Sequence, residues 1–231
     1  MSYENVNRPP RHTTPVKQRL LKVGALAVLR TVARVDLQGL ENVPDGALVL
    51  TLNHLSSFDT LSAIALAPIR QGTAFAAVEH RSDFIAGWLL DQLGVIWVRR
   101  GEADREAIKI ALDELKSGTA LGMAIEGTRS RTGGLQAGRT GPAFIATHAG
   151  VPILPAAVWG TEKIIANVKR LKRSEVHIRV GKPFYLPQGR ANTEQLEQYT
   201  EQIMLRIAAM LPPDYRGVYR ERLNALREAE G

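Results

Sequence analysis

The chain has 231 residues and 45% of them are hydrophobic, which is enough apolar material for a folded core. It contains no cysteine, which excludes disulfide bonds, thiolate nucleophiles and cysteine zinc sites. The formal net charge of +7 suits an anionic partner, and charge alone does not rank nucleic acid, anionic lipid headgroups and phosphorylated substrates.

The N-terminal region predicts a polar tail followed by a basic amphipathic helix. Residues 1–14 are polar and rich in proline, and the helical pattern runs from Pro15 to about Val35. The apolar residues that recur at helical spacing are Val16, Leu20, Val23 and Ala27. Such a helix can lie in a bilayer interface or pack on the protein surface, and the pattern leaves both open. Its apolar runs are far shorter than the ~20 residues of a membrane span, so no span is predicted. The polar, proline-rich start and the lack of a clear small-residue cleavage site argue against a cleavable signal.

The rest of the chain alternates between predicted strands and helices. Predicted strands lie at residues 47–52, 74–78, 95–98, 120–125, 153–158 and 176–180. Predicted helices lie at residues 60–66, 86–93, 104–116, 142–148, 194–211 and 215–228. This order predicts an α/β fold with a central, mostly parallel sheet flanked by helices. We predict two parts, a tail and amphipathic helix at 1–36 and an α/β domain with C-terminal helices at 37–231.

A histidine and an aspartate directly follow the first predicted strand. His54 and Asp59 are five positions apart, a spacing that puts them on different faces of a regular helix. They meet only if the chain turns between them, and Ser56 or Ser57 could cap a helix that begins near Phe58. A neutral imidazole oriented by a carboxylate can take a proton from a hydroxyl nucleophile. Alone, the spacing favours a capped turn with a surface histidine over a catalytic pair.

Two basic segments follow later strands. The strand at 95–98 is followed by Arg99 and Arg100. Their guanidinium groups could make bidentate hydrogen bonds to a phosphate or be solvated at the end of the strand. A glycine-rich, basic loop begins at Glu126 and includes Gly127, Thr128 and Arg129. Its backbone and side-chain donors suit an anion, although a flexible surface connection has the same composition.

These segments, together with the Val151–Pro155 block, resemble in order and spacing the glycerolipid acyltransferase family that includes 1-acylglycerol-3-phosphate acyltransferase. That family has Asn-His with an Asp five positions after the His, a Gly with an Arg six positions on, a Glu-Gly-Thr-Arg-Ser segment and a Val-Pro-Ile-x-Pro block. Two departures are the Ala124-Ile125 pair, where Phe-Pro is usual, and Arg99, where Asp is frequent. The departures leave the reaction type in place and affect the expected acceptor.

The resemblance implies a role for each motif. His54 would be the general base and Asp59 would orient it, without a covalent acyl-enzyme. The residues implied to bind the phosphate and glycerol of the acceptor are Arg100, Glu126, Gly127, Thr128 and Arg129. The implied substrates are a lysophospholipid, above all 1-acyl-sn-glycerol-3-phosphate, and an acyl thioester of coenzyme A or acyl-carrier protein. No metal or prosthetic group is implied.

The resemblance also implies where the protein acts and leaves two alternatives open. A soluble enzyme that acts on a bilayer lipid is expected on an anionic membrane surface, here peripherally on the cytoplasmic face of the cell membrane. Nucleic acid is not an expected partner, because no nucleic-acid-binding motif accompanies the charge. The alternatives are an acyltransferase for another lysolipid or a glycolipid, and a non-catalytic lipid-binding relative.

Overall fold

The computed structural model describes residues 15–59, 62, 72–99 and 104–230. It begins with helix α1 (Pro15–Val32), which leads directly into strand β1 (Ala33–Gln38). The predicted helix therefore ends three residues too late, at Val35 instead of Val32. The pattern was ambiguous because apolar and polar residues alternate along β1 and overlap the helical spacing. β1 also crosses the division predicted after residue 36, and that division itself stays a prediction.

Within the described residues, seven strands form one sheet in the order β1-β7-β6-β2-β5-β3-β4. The remaining strands are β2 (Leu48–Leu52), β3 (Gly72–Ala77), β4 (Ile96–Val98), β5 (Ala120–Ala124), β6 (Ile153–Trp159) and β7 (Ser174–Val180). Neighbouring strands are parallel except β6 and β7, which are antiparallel. The predicted α/β fold with a mostly parallel sheet is confirmed.

Helices pack on both faces of the sheet. They are α2 (Phe84–Leu93), α3 (Arg105–Lys116), α4 (Gly141–Ala149), α5 (Ile164–Val168), α6 (Thr193–Met210) and α7 (Arg220–Glu230). Capping residues account for the N-terminal ends of two helices: Asp104 caps α3, and Asn192 forms a capping box with Gln195 at α6. Of the predicted helix at 60–66, only residue 62 lies within the described part of the chain. No described helix is both long and apolar enough to cross a membrane.

Two hydrophobic cores lie on opposite faces of the sheet. Strand β2 is buried at every position, and its side chains alternate between the cores: Val49 joins one, and Leu48 and Leu50 join the other. The first core is covered by α3, α4, α6 and α7, while the second is covered by α1 and α5. Burial on both faces fixes the register of β2, and hence the position of the loop that follows it.

The parallel strands β2, β5 and β6 end at the same edge of the sheet, which we call the carboxyl edge. β2 lies between the other two, so the loops that follow all three strands meet there. Polar groups gather at such an edge because loops replace the ladder hydrogen bonds and leave room for a ligand. The predicted motifs at His54 and Glu126 directly follow β2 and β5.

Candidate active site

The loop after β2 is anchored to β6 by a buried asparagine. The Asn53 side chain is 1% exposed, and its amide donates to the carbonyl oxygen of Val158 at 2.8 Å. Its oxygen accepts from the Val158 amide, also at 2.8 Å. This two-way pairing replaces one rung of the sheet and fixes the backbone immediately before His54.

His54 and Asp59 are brought together by a tight turn. The Ser56 hydroxyl accepts from the amide of Phe58 at 3.1 Å, as an N-cap residue does at a helical turn. The turn folds Asp59 back, so that its Oδ2 lies 2.9 Å from His54 Nδ1. The contact predicted from the capped turn is present, although the catalytic role of the pair stays a prediction.

Asp59 is held by more than the imidazole. Its side chain is 1% exposed, and Oδ2 also accepts from the amides of Leu55 at 2.5 Å and Ser56 at 2.7 Å. The other oxygen, Oδ1, accepts from the hydroxyl of Thr161 at 2.5 Å. These donors satisfy a buried carboxylate and leave it one orientation. Thr161 was missed in the sequence; its signal is a polar residue just beyond the end of β6.

The hydrogen bond to Asp59 decides what the imidazole can do. A carboxylate beside Nδ1 favours the tautomer in which Nδ1 carries the proton, which leaves a lone pair on Nε2. The His54 side chain is 19% exposed, so the ring is accessible while its partner is buried. The arrangement suits proton abstraction from a hydroxyl group. Among the described residues, no group of three or more His, Asp or Glu side chains could hold a metal ion.

Glu126 ties the loop after β2 to the glycine-rich loop after β5. Its Oε1 accepts from the amide of His54 at 2.9 Å, and its Oε2 accepts from the amide of Gln136 at 2.8 Å. Burial raises the pKa of this carboxyl group, and the two backbone donors oppose that shift. The structure thus gives Glu126 a contact that supports the loops. The substrate contact predicted for it stays a prediction.

The predicted binding residues Gly127, Thr128 and Arg129 lie on the loop beside His54. Gly127 has a φ of +70°, which turns the chain sharply after Glu126. Arg129 Nη1 donates to the Ser57 hydroxyl at 3.2 Å, which holds the loop against the turn that follows His54. The Ser130 amide donates to the His54 carbonyl at 2.7 Å, closing this contact. Arg100 lies outside the described residues.

The segment between α6 and α7 supports the far side of the glycine-rich loop. The Leu135 amide donates to the Tyr215 carbonyl at 3.0 Å, and Val218 donates back to the Leu135 carbonyl at 3.1 Å. The Tyr215 hydroxyl donates to Glu162 at 2.7 Å, and burial together with this bond raises the pKa of Tyr215. Glu162 is next to Thr161, so one segment braces two of the three loops at the site. The sequence did not indicate this support.

The fold and site define an α/β protein with a carboxylate-oriented histidine at the carboxyl edge of a mostly parallel sheet. The chain belongs to the acyltransferase family, whose sequence profile matches residues 34–159. The matched range contains both members of the His–Asp pair and the glycine-rich loop, and it ends before Thr161. The resemblance seen in the sequence motifs is confirmed.

Individual relatives agree with the family. The chain is 29% identical over 161 residues to the chloroplastic 1-acyl-sn-glycerol-3-phosphate acyltransferase BAT2 of Brassica napus, covering 66% of this chain and 45% of that protein. It is 27% identical over 224 residues to the lyso-ornithine lipid O-acyltransferase of Pseudomonas aeruginosa, covering 89% of this chain and 84% of that protein. The chain thus spans less than half the length of the plant relative and most of the length of the bacterial one.

A solved structure shares the fold. The crystal structure of the 1-acyl-sn-glycerophosphate acyltransferase PlsC of Thermotoga maritima superposes with a TM-score of 0.64 at 22% sequence identity. The match covers 91% of this chain and 79% of that one. It includes the α/β architecture from which the His–Asp site is built.

Proposed function

We propose that the protein transfers a fatty acyl group from a thioester donor to the free hydroxyl of a lysophospholipid. The observation that carries the proposal is the 2.9 Å contact between His54 Nδ1 and the buried carboxylate of Asp59. A protein that only binds lipid has no need of a buried carboxylate that orients an accessible imidazole. The alternative of a non-catalytic lipid-binding relative is for this reason less well supported.

In the proposed reaction His54 acts as the general base. Nε2 takes the proton of the acceptor hydroxyl as its oxygen attacks the thioester carbonyl, and Asp59 stabilises the imidazolium that forms. The tetrahedral intermediate then expels the thiolate, which receives the proton from the imidazolium. The acyl group passes directly to the acceptor, so no covalent acyl-enzyme forms. The steps use no metal or prosthetic group, and the thioester is a co-substrate.

The glycine-rich loop is the proposed binding place for the polar part of the acceptor. Thr128 and Arg129 would present backbone and side-chain donors beside His54, and Arg100 would add a second guanidinium group. Gly127 would contribute through its turn at a φ of +70°, because its amide already donates to the carbonyl oxygen of Ala124 at 3.0 Å. Glu126 is ill suited to contact a phosphate directly, because both of its oxygens already accept backbone hydrogen bonds. We assign it the task of holding the binding loop and the base together.

The acceptor we propose is 1-acyl-sn-glycerol-3-phosphate, which would give phosphatidate. The name of the Brassica relative supports this choice. A second acceptor is favoured by a specific observation: the lyso-ornithine lipid O-acyltransferase matches along 89% of this chain. The departures from the family pattern at Ala124-Ile125 and at Arg99 fit an acceptor other than 1-acyl-sn-glycerol-3-phosphate. Both acceptors present a free hydroxyl on a lipid, and the proposed chemistry is the same.

The proposed place of action is the cytoplasmic face of the cell membrane, where the protein would sit peripherally. Helix α1 supports this location, because its side chains Val16, Leu20 and Val23 are 69%, 67% and 61% exposed. Exposed basic residues such as Arg19 accompany them, as in a helix that lies in a bilayer interface. The donor, acyl-CoA or acyl-carrier protein, is not distinguished by this arrangement.

The decisive test crosses acyl donors with lysolipid acceptors and detects the products by mass spectrometry. The His54→Ala variant is expected to lose acyl transfer and to keep vesicle binding, because the side chain is needed for chemistry alone. His148→Ala, which removes an exposed histidine from α4, is the matched control and should retain turnover. Full turnover by His54→Ala would refute the mechanism. Product formation with lyso-ornithine lipid but not with lysophosphatidic acid would select the second acceptor.

A further inference from the structure

The segment Lys163–Arg173, which contains α5, joins β6 to β7 and combines positive charge with exposed apolar side chains. We call it the basic apolar segment. Its exposed basic residues are Lys163, Lys169, Arg170, Lys172 and Arg173. Its exposed apolar residues are Ile165, Val168 and Leu171, at 60%, 43% and 98% exposure. The segment contains no acidic residue. Apolar side chains that protrude among cations suit an anionic, partly apolar surface.

Leu171 is presented by an unfavourable backbone conformation. Its φ is +54°, the single positive φ of a non-glycine residue in the described part of the chain. It follows α5 at the position where glycine usually ends a helix, and the Lys172 amide bonds back to the Asn167 carbonyl at 2.9 Å. A leucine there is strained and gains no packing in the protein. Packing against the described residues therefore does not account for a leucine at this position.

The topology of the sheet places this segment at the carboxyl edge. β6 ends there at Trp159, and β7 begins there at Ser174 because the two strands are antiparallel. The segment between them starts only two residues after Thr161, which holds Asp59. A surface docked on this segment therefore lies beside the edge that carries His54.

Helix α1 is attached to the same region. The Arg173 guanidinium donates to the carbonyl oxygens of Arg30 and Ala33, where α1 gives way to β1. β1 is parallel to β7 and pairs Ala33 with Ser174, so the end of α1 also lies at the carboxyl edge. The exposed face of α1 and the basic apolar segment are thus joined at one place and share the same composition.

We propose that the basic apolar segment is a membrane-docking surface that binds anionic phospholipid headgroups and inserts Leu171 into the bilayer. The proposal deepens the proposed function, because it states how the carboxyl edge meets a lipid substrate. Charge complementarity favours the bilayer, and the adjoining α1 carries the same basic and apolar character. An acidic protein partner would use the charges but would not explain why α1 continues the surface.

The first experiment separates membrane insertion from folding. Leu171→Gly relieves the positive φ and removes the apolar side chain, so we expect an unchanged or higher Tm and binding to phosphatidylglycerol-containing vesicles that is about tenfold weaker. Leu171→Asn, which also tolerates this conformation, should behave in the same way. The control is Leu40→Asn, which removes an exposed leucine that follows the far end of β1. Unchanged vesicle binding by both Leu171 variants would overturn the proposal.

The second experiment tests the charges. Replacing Lys169, Arg170 and Lys172 by glutamine is expected to weaken binding to these vesicles by roughly 100-fold at low salt, because each cation near an anionic surface contributes. Binding to phosphatidylcholine vesicles should change little. The matched control replaces three exposed lysines elsewhere, Lys109, Lys116 and Lys182, and should retain binding. Equal losses in both triple variants would mean that net charge acts without a site, and would refute the proposal.

The same variants distinguish this proposal from the proposed function. Acyl transfer to a detergent-dispersed lysolipid should persist in the triple variant, because His54 and its partners are untouched. Loss of turnover in detergent with vesicle binding intact would contradict the docking role. If the triple substitution abolished binding of acyl-carrier protein and left vesicle binding unchanged, the surface would belong to that protein and the membrane proposal would be wrong.

Discussion

Replacing Thr161 by valine removes one hydrogen bond from the site and keeps the shape of the side chain. The Thr161 hydroxyl donates to Asp59 Oδ1 at 2.5 Å, and both side chains are 1% exposed. A hydrogen bond to a charged group contributes about 1.5–3 kcal/mol, and its loss here leaves a buried carboxylate oxygen unsatisfied. We therefore expect the free energy of unfolding to fall by about 2 kcal/mol. If about 1.4 kcal/mol of this stabilisation is also lost from the transition state of the reaction, kcat falls about tenfold.

Steady-state kinetics on Thr161→Val and Thr161→Ser check this reasoning. The serine variant keeps the hydroxyl and loses only a methyl group, so it should recover most of the turnover. KM should change little in either variant, because Thr161 contacts Asp59 and not the predicted binding loop. Denaturant titration measures the stability of each variant separately. Equal loss of kcat in the two variants would show that packing matters and the hydrogen bond does not, which would refute the argument.

Three further predictions concern the stability of the fold: the first two act at the site, and the third acts between β1 and β7. Asn53→Ala should lower the free energy of unfolding by about 3 kcal/mol, measured in denaturant, because two buried hydrogen bonds to the β6 backbone are lost. Gly217→Ala should lower Tm and turnover together, since a Cβ would lie 2.0 Å from the Leu135 carbonyl oxygen at a φ of +49°. Arg179 lowers the pKa of Asp36 from 3.8 to about 2, so this carboxylate stabilises the fold above 3.8 and less as the pH falls toward 2. In Asp36→Asn the free energy of unfolding should depend less on pH between 3.8 and 2, as measured by denaturant titration at several pH values. An unchanged dependence would contradict the stabilising role of this carboxylate.

The sequence was informative wherever structure depends on near neighbours. The run at 47–52 is buried at each strand position, and Ser56 caps the turn that brings Asp59 to His54. These features require only alternation, capping and spacing within a few residues. The amphipathic pattern of α3 has the same local character, and its predicted bounds differ from the observed ones by one residue.

The contacts that complete the site depend on strand order, which local patterns do not contain. Thr161 is 102 residues from Asp59 in sequence and reaches it only because β6 lies next to β2. The support from Tyr215 likewise depends on how the segment after α6 crosses the glycine-rich loop. The predicted helix overlaps the first three residues of β1, because a strand there depends on pairing with β7, 141 residues away from Ala33 to Ser174.

The carboxylate of Glu126 has a mechanical consequence for the choice of acceptor. Its two oxygens join the backbone of His54 to that of Gln136, so a displacement of the glycine-rich loop is expected to displace His54 as well. In the proposed mechanism, an acceptor whose headgroup pushes the loop aside would also move the imidazole away from the hydroxyl that it is proposed to deprotonate. Discrimination between headgroups would then show in the rate of the chemical step as well as in affinity. If His54 is the base, a poor acceptor would be rejected because it displaces the imidazole, without a separate gate.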